Sequence, residues 1–539
     1  MGSFGQVLPR VAPITAAMRG HSTTIDRSPD IPEVSRRNLL RTAALGAAVV
    51  GTGATSVIFG ATPAVAAGRF APKDPELHLV QRATWGASPP SLAEIRRMGA
   101  GRWLERQLKP ASINDSECDD LIAQRFPRLA WSIADAAGSL DFGWDLMFDL
   151  GTATLARAAW SERQLLEVMV DFWSNHLNIT NPSDSVWATR HDWDRNVIRK
   201  HAMGRFSDML AASATHPAMM TYLNNAESTK DYPNENYGRE LLELHSVGVD
   251  GGYGEEEMYD STLIMTGFGI DWDTQLFHYY PEWHHTGPVK VLGWSSKNAG
   301  ANGLKTGLSY VRYLARHPMT ARRIADKLIA RFVSDAPQPV LANQLARTYL
   351  ANDTAIVPVL RQLFRSKAFA ASIGAKIRRP MQDVIGTVRV LGIQPDASGN
   401  EGMQSLYWMI GDLGDAPMAW ASPDGYPDYS DAWRSAGGSL GRWNVHMSLA
   451  AHWWPTALRL PDLRKRLLPQ ALPATHGKMI DALAKKLVFR TLSSDHRNAI
   501  LGFLGVEGGT PLGPDDDAVG WRLPYVVSLI LDSPYFQVR

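Results

Sequence analysis

The feature that most limits the fold of this chain is a spacing of apolar residues by three and four, repeated from one segment to the next. Leu165, Leu166, Met169, Val170, Trp173 and Leu177 keep that spacing within 161–177, which places them on one side of a 3.6-residue helix. Segments 321–333, 356–364, 404–413 and 479–487 repeat the pattern, with Pro358 tolerable only in a first turn. Ser91 and Glu94 stand three apart, as in a capping box. Pro217, Pro233, Pro318 and Pro380 punctuate successive helices. Only 275–280 and 288–292 are β-prone, around a His-Thr-Gly turn, and they predict one hairpin. The expected fold class is therefore all-α, predominantly helical and multi-helix globular, with a small β-hairpin near 275–293. Residues 67–539 are expected to form a single large helical domain, or two lobes dividing near 300, since linker signals are confined to 293–303 and 396–402.

Residues 1–66 read differently. Ser35-Arg36-Arg37-Asn38-Leu39-Leu40 is a twin-arginine pattern, followed by a moderately apolar stretch, 42–61, and by Ala64-Val65-Ala66. Three elements in that order predict an N-terminal extension and signal peptide cleaved before Ala67, and export to an extracellular, periplasmic or envelope location. A membrane anchor is the alternative, but the stretch is rich in Gly, Ala and Thr and only about 20 residues long. No other segment approaches 18 uninterrupted apolar residues, so no transmembrane span is expected in the mature chain.

Composition removes whole classes of function. Lys and Arg number 55 against 54 Asp and Glu, so no electrostatic footprint for nucleic acid exists. Cys118 is the only cysteine, which forbids an internal disulfide and any cysteine-built metal centre. There is no Gly-x-Ser-x-Gly elbow, Walker loop, His-Glu-x-x-His helix or dinucleotide fingerprint after a strand. The 18 Trp residues suit a core and also stacking surfaces for sugars or apolar polymers.

The densest polar segment is Asn234 to His245. On an ideal helix Asn236, Arg239, Glu240 and Glu243 share a sector of about 100°, with Tyr237, Leu241 and Leu244 on the neighbouring apolar face. Two carboxylates so placed can divide acid and base roles if burial raises one of them, or bind a hard divalent cation. A solvated face with an Arg239–Glu243 ion pair explains the same spacing. His176 shares the inward side of its helix with Trp173, and a lone inward His is commonly a hydrogen-bonded core residue. The stretch Phe277 to His285, which includes His284, could line a pocket, bind a metal or form an exposed lid. Ser422-Pro423-Asp424-Gly425-Tyr426-Pro427 reads as a structured loop explained by its turn residues.

Several segments in order resemble the bacterial family catalogued as "domain of unknown function 1800". They include His78 to Gly86, Phe172 to His176, His216-Pro217-Ala218-Met219, Asn234 to Gly252, Thr286 to Gly293, Ala321 to Val333, Lys376 to Pro380, Gly425-Tyr426-Pro427 and Asp532 to Phe536. The resemblance implies a bacterial, commonly exported, helical protein, and it makes the 234–245 helix and His176 defining features. It carries no reaction with it. Three positions depart from the family pattern: His284-His285 replaces His-Asp, Gly238 stands where Ala is usual, and Phe268 where Trp is usual.

Three functional expectations follow. The leading one is a hydrolase- or lyase-type enzyme acting on an extracytoplasmic polysaccharide or envelope polymer, with Glu240 as acid or base and Glu243 as its partner. Arg239 and Asn236 would orient the substrate, and His176, Trp173, Tyr237 and His284 would bind it. The second is a divalent-metal enzyme using Glu240, Glu243 and His176 or His245, the last of which projects away from Glu240 on an ideal helix. The third is a non-catalytic envelope binding or scaffolding protein, in which the Glu and Arg helix is a buried polar network. The sequence sets no oligomeric state.

Overall fold

Helices form where the apolar spacing places them in the computed structural model, which describes residues 69–139 and 143–539. The twin-arginine pattern, the apolar stretch and the cleavage site lie outside the described residues. Segment 161–177 yields helix Gln164–His176, and 321–333 yields Pro318–Phe332. Segment 356–364 is helical over those same residues, 404–413 falls on Glu401–Asp412 with Leu413 as its C-cap, and 479–487 lies in His476–Leu487. Pro217, Pro318 and Pro380 each open a helix, where a missing N–H costs nothing and the fixed φ is already helical. The capping box sits three residues earlier than Ser91 and Glu94 suggest. Ser88 caps Pro89–Met98, and Ser91 is its reciprocal partner. Two prolines at the first helical positions move the start upstream.

Among the described residues the only sheets are two antiparallel ribbons. β1 (Phe268–Asp271) pairs with β2 (Leu276–Tyr279), and β3 (Val289–Val291) pairs with β4 (Trp294–Ser296). The two β-prone runs are thus strands, but each pairs with a neighbour closer in sequence rather than with the other. Local turns decide this. Asp271 Oδ1 accepts the N–H groups of Asp273 and Thr274, both at 3.0 Å, and Leu292 and Gly293 take φ of 48° and 85°, the two positive values of a tight hairpin turn.

The described residues fall within one compact unit, Ala54–Arg539, and share one apolar cluster running from Leu77 to Phe536. Sequence-distant segments are tied through buried polar contacts. Arg82, 1 % exposed, donates to the carbonyls of Ser372 at 2.9 Å and Arg539 at 2.8 Å. Arg539 N–H in turn donates to Lys376 O at 2.9 Å, and Ile377 bridges Val538. This seam fixes the backbone of 376–379, which leads directly into helix Pro380–Leu391. Among the described residues no helix is long and apolar enough to cross a membrane.

Candidate functional site

Helix Gln164–His176 presents two faces with separate tasks. Its apolar face anchors it: Trp173 is wholly buried, donates its indole N–H to Ala202 O at 3.0 Å and stacks on Phe206 at 5.2 Å. The other face delivers Asp171, Phe172 and Asn175 to a cavity of about 530 Å³, which His176 reaches from the inward side, its ring 5.6 Å from that of Trp173. Helix Pro318–Phe332 supplies Lys327 and Arg331, four residues apart and therefore neighbours on one face.

The third wall is the 420–429 loop, which Asn175 clamps through both halves of its carboxamide. Its Oδ1 accepts from Tyr426 N–H at 2.6 Å, and its Nδ2 donates to Tyr426 O at 2.8 Å. Gly425 is required in this clamp. It has φ of +76°, and a Cβ there would meet Asn175 O at 2.2 Å. Trp420 lies on the same loop and donates its indole N–H to Asp424 at 2.9 Å.

A network of ion pairs lies beneath. Asp171 accepts from Arg331 at 2.7 Å and from Arg379 at 3.3 Å, and Arg379 also lies 3.4 Å from Asp415. Asp428 is 3.6 Å from Arg331. Burial pushes the Asp428 carboxyl up, but Arg331, Lys376 and Arg379 outweigh it and hold the group well below the ordinary range. Asp415 keeps the opposite balance: burial outweighs Arg379 and raises it to about 6. Removing one member would leave a buried charge uncompensated, which typically costs about 3–5 kcal/mol.

The titratable pair at the cavity wall is Lys327 and His176. Lys327 Nζ lies 3.1 Å from His176 Nδ1, and His176 Nε2 lies 3.2 Å from His245 O. A carbonyl only accepts, so Nε2 carries the imidazole proton and Nδ1 offers its lone pair to the lysine. Burial, reinforced by Lys327 and Arg323, keeps His176 neutral. Burial and then Arg323 bring Lys327 down to about 8. His245 is wholly buried, and neither ring nitrogen has a hydrogen-bond partner among the described residues.

The 234–245 segment departs from an ideal helix. Asn234 caps Glu235–Glu240, which passes into a π-helical turn, Leu241–His245. A π-turn is frequent at functional sites, and here it aims the His245 carbonyl at His176. Arg239 is shared among Glu243 at 3.4 Å, Glu235 at 3.3 Å and Glu255 at 3.5 Å, all on a half-exposed surface. Asn236 donates to Asn224 at 3.3 Å. Glu240 is half-buried and does not line the cavity; burial first, then Glu243 and Asp424, raise its carboxyl. Asp424 belongs to the cavity wall, so Glu240 lies within electrostatic reach of it.

The remaining candidates are dispersed. Tyr237 is wholly buried without a partner for its hydroxyl among the described residues. Its neighbour Gly238 lets two helices meet, since a Cβ there would stand 2.8 Å from Thr262 Cα. His284 is buried beside β2, with Nδ1 2.9 Å from Thr266 O and Nε2 2.9 Å from Asn298 Oδ1. Trp173, Tyr237 and His284 therefore have no free face for a ligand. Among the described residues no three His, Cys, Asp or Glu side chains are grouped so as to hold a metal ion. Sequence reasoning missed Asp171, Lys327, Arg331, Arg379 and Asp424. The available signal was a Lys and an Arg four apart beside the apolar stripe Ile324, Leu328 and Ile329.

No curated protein and no solved structure matches the chain. The sequence model of the family described as "Protein of unknown function (DUF1800)" matches residues 78–538, a span that takes in every wall of the cavity. The chain belongs to that family.

Proposed function

We propose that this protein is a hydrolase- or lyase-type enzyme acting on an extracytoplasmic polysaccharide or similar polymer, with proton transfer centred on Lys327 and His176. The observation that carries the reading is the 3.1 Å contact between Lys327 Nζ and a neutral His176 Nδ1 at the wall of a 530 Å³ cavity. An amine brought down to about 8 gives and takes protons near neutral pH, as a general base must. Trp420, Tyr426 and Tyr429 beside Asp and Arg side chains supply aromatic faces with planar polar groups, a lining that suits hydroxyl-rich ligands. Glu240, raised by burial and within electrostatic reach of Asp424 on the cavity wall, is the second protonatable group. The test is turnover on a panel of envelope and environmental glycans. Loss of a detected activity in Lys327→Met, with the fold intact by circular dichroism, supports the reading, and a retained rate ends it.

The Ser35-Arg36-Arg37 pattern supports export by the twin-arginine route. Replacing Arg36 and Arg37 by Lys should retain the precursor in the cytoplasm, and the exported form should begin at Ala67.

A second reading, non-catalytic envelope binding, needs no chemistry from the polar helix, because Arg239 is engaged with three carboxylates; these pairs lie on a half-exposed surface rather than in the buried polar network expected of a scaffold.

A further inference from the structure

A second concave site lies apart from the Lys327 cavity and shares no residue with it. Helices Trp144–Trp160 and Glu401–Asp412 pack against each other, and their close approach is at Gly151, where a Cβ would stand 2.5 Å from the Tyr407 ring. Beside this contact the facing positions become polar. Asp145, Phe148, Asp149 and Thr152 follow at i, i+3, i+4 and i+7 on the first helix, and Gln404, Tyr407 and Trp408 at i, i+3 and i+4 on the second. Such spacing puts each set on one face. Together with Arg128 they line a cavity of about 300 Å³, at the lower end of the roughly 300–1,000 Å³ seen for small-ligand sites.

Three features of this cavity point to a ligand. Trp408 is 53 % exposed although its ring meets Phe148 at 5.2 Å and Tyr407 at 5.4 Å, so an indole face is held in place by aromatic neighbours while open to solvent. Arg128 is fixed by Asp149, 3.0 Å from its Nε, and by Asp145 at 3.3 Å, giving a planar array of donors and acceptors in the same cavity lining. Thr152 is 1 % exposed, and its hydroxyl has no hydrogen-bond partner among the described residues. A helical Thr ordinarily bonds back to the carbonyl four residues before it, as Thr154 does to Leu150 O at 2.9 Å. Thr152 does not. A buried hydroxyl left unmatched is costly, and a ligand hydroxyl in the cavity would match it.

We infer that this cavity is a second saccharide-binding subsite, in which one pyranose ring of an equatorially substituted glycan stacks on Trp408 and hydrogen-bonds Arg128, Asp149 and Thr152. Apolar C–H faces of such rings match the indole, and their edge hydroxyls match the fixed polar groups. The site stands independently of the Lys327 chemistry; it would hold a polymer whether or not the other cavity cleaves it.

The experiment is calorimetric titration of the full mature chain with cellohexaose and chitohexaose, for the wild type and for Trp408→Ala, Thr152→Val and Lys327→Met. Saturable binding of either probe, with one site weakened about tenfold by Trp408→Ala and weakened also by the isosteric Thr152→Val, whatever Lys327→Met does to sugar held in the other cavity, is the expected result. No saturable binding of either probe to the wild type overturns the inference. Binding that survives Trp408→Ala but disappears in Lys327→Met also overturns it, because the sugar would then occupy the other cavity. Circular dichroism of each variant separates lost contacts from lost fold.

Discussion

Lys327 Nζ and His176 Nδ1 stand 3.1 Å apart, with the far nitrogen of the imidazole committed to the carbonyl of His245. The imidazole is therefore fixed in one tautomer, and its free lone pair is directed at an amine that burial has brought close to neutral pH. If that amine is the base, the rate of any detected turnover rises with pH through an ascending limb centred at about 8. Lys327→Arg keeps the positive charge but cannot lose it near neutrality. It should lower turnover by about 10²–10⁴-fold, the usual worth of a positioned acid or base. An unchanged rate in Lys327→Arg would contradict this.

Asn175 holds the 420–429 loop against helix Gln164–His176 through bonds of 2.6 and 2.8 Å. Asn175→Ala leaves a backbone N–H and a carbonyl of Tyr426 unmatched, at a cost of about 1–3 kcal/mol. Hydrogen exchange should accelerate at Gly425 and Tyr426 while the core of helix Pro318–Phe332 stays protected. Uniform loss of protection would show that the loop is not an independent element.

His446 sits wholly buried between Asp383 at 3.0 Å and Asp532 at 2.8 Å. Burial pushes the imidazole down, but Asp383 and then Asp532 outweigh it and raise it from 6.5 to about 9. Asp383 is the firm counter-ion, because its carboxyl is held low whereas burial raises that of Asp532. A raised folded value means the imidazolium binds its proton more tightly in the folded state. Its stabilisation is complete below about 6.5 and is lost as pH rises through about 9. Thermal midpoints should fall between pH 7 and 9 in the wild type, and the slope should flatten in His446→Phe. Equal slopes would remove His446 as the cause.

Gly238 reads in the sequence as a small weakness in a helix. In the structure it is the point where Glu235–Glu240 meets Glu255–Met265, with Thr262 Cα and N both 2.8 Å from where a Cβ would stand. Gly238→Ala gains about 1 kcal/mol of helix propensity but forces two backbones apart, at about 1–3 kcal/mol. Urea unfolding should show a net loss of stability; a net gain would mean the helices separate freely.

The helical fold was legible because amphipathic spacing is local: helix Ile356–Phe364 begins and ends where its apolar residues do. The strand runs were legible for the same reason, but their partners depended on φ at Leu292 and Gly293, which Leu-Gly does not announce as Asn-Gly would. At the site, His176 was visible as an inward residue, and the Glu240 helix as a polar face. The cavity itself was hidden because its walls come from segments as far apart as Asp171, Lys327, Arg379 and Asp424. Each has an ordinary local explanation: Lys327 and Arg331 look like the charged edge of an amphipathic helix, and Asp424-Gly425 looks like a turn. Only burial turns those edges into a site. The Arg239 face illustrates the reverse: a dense polar motif that resolves mainly into ion pairs with Glu235, Glu243 and Glu255, whose net worth at a half-exposed surface is about 0–1 kcal/mol.

The ionisation of Lys327 can be measured before any substrate is known, by competitive acylation of the native protein across pH 6–11 with mass-spectrometric quantification of that lysine. A midpoint at about 8, well separated from the surface lysines and moved by His176→Phe, is the result expected of a proton-transferring amine. A midpoint near 10.4, the ordinary value for lysine, would contradict the assignment of Lys327 and His176 as the centre of the chemistry.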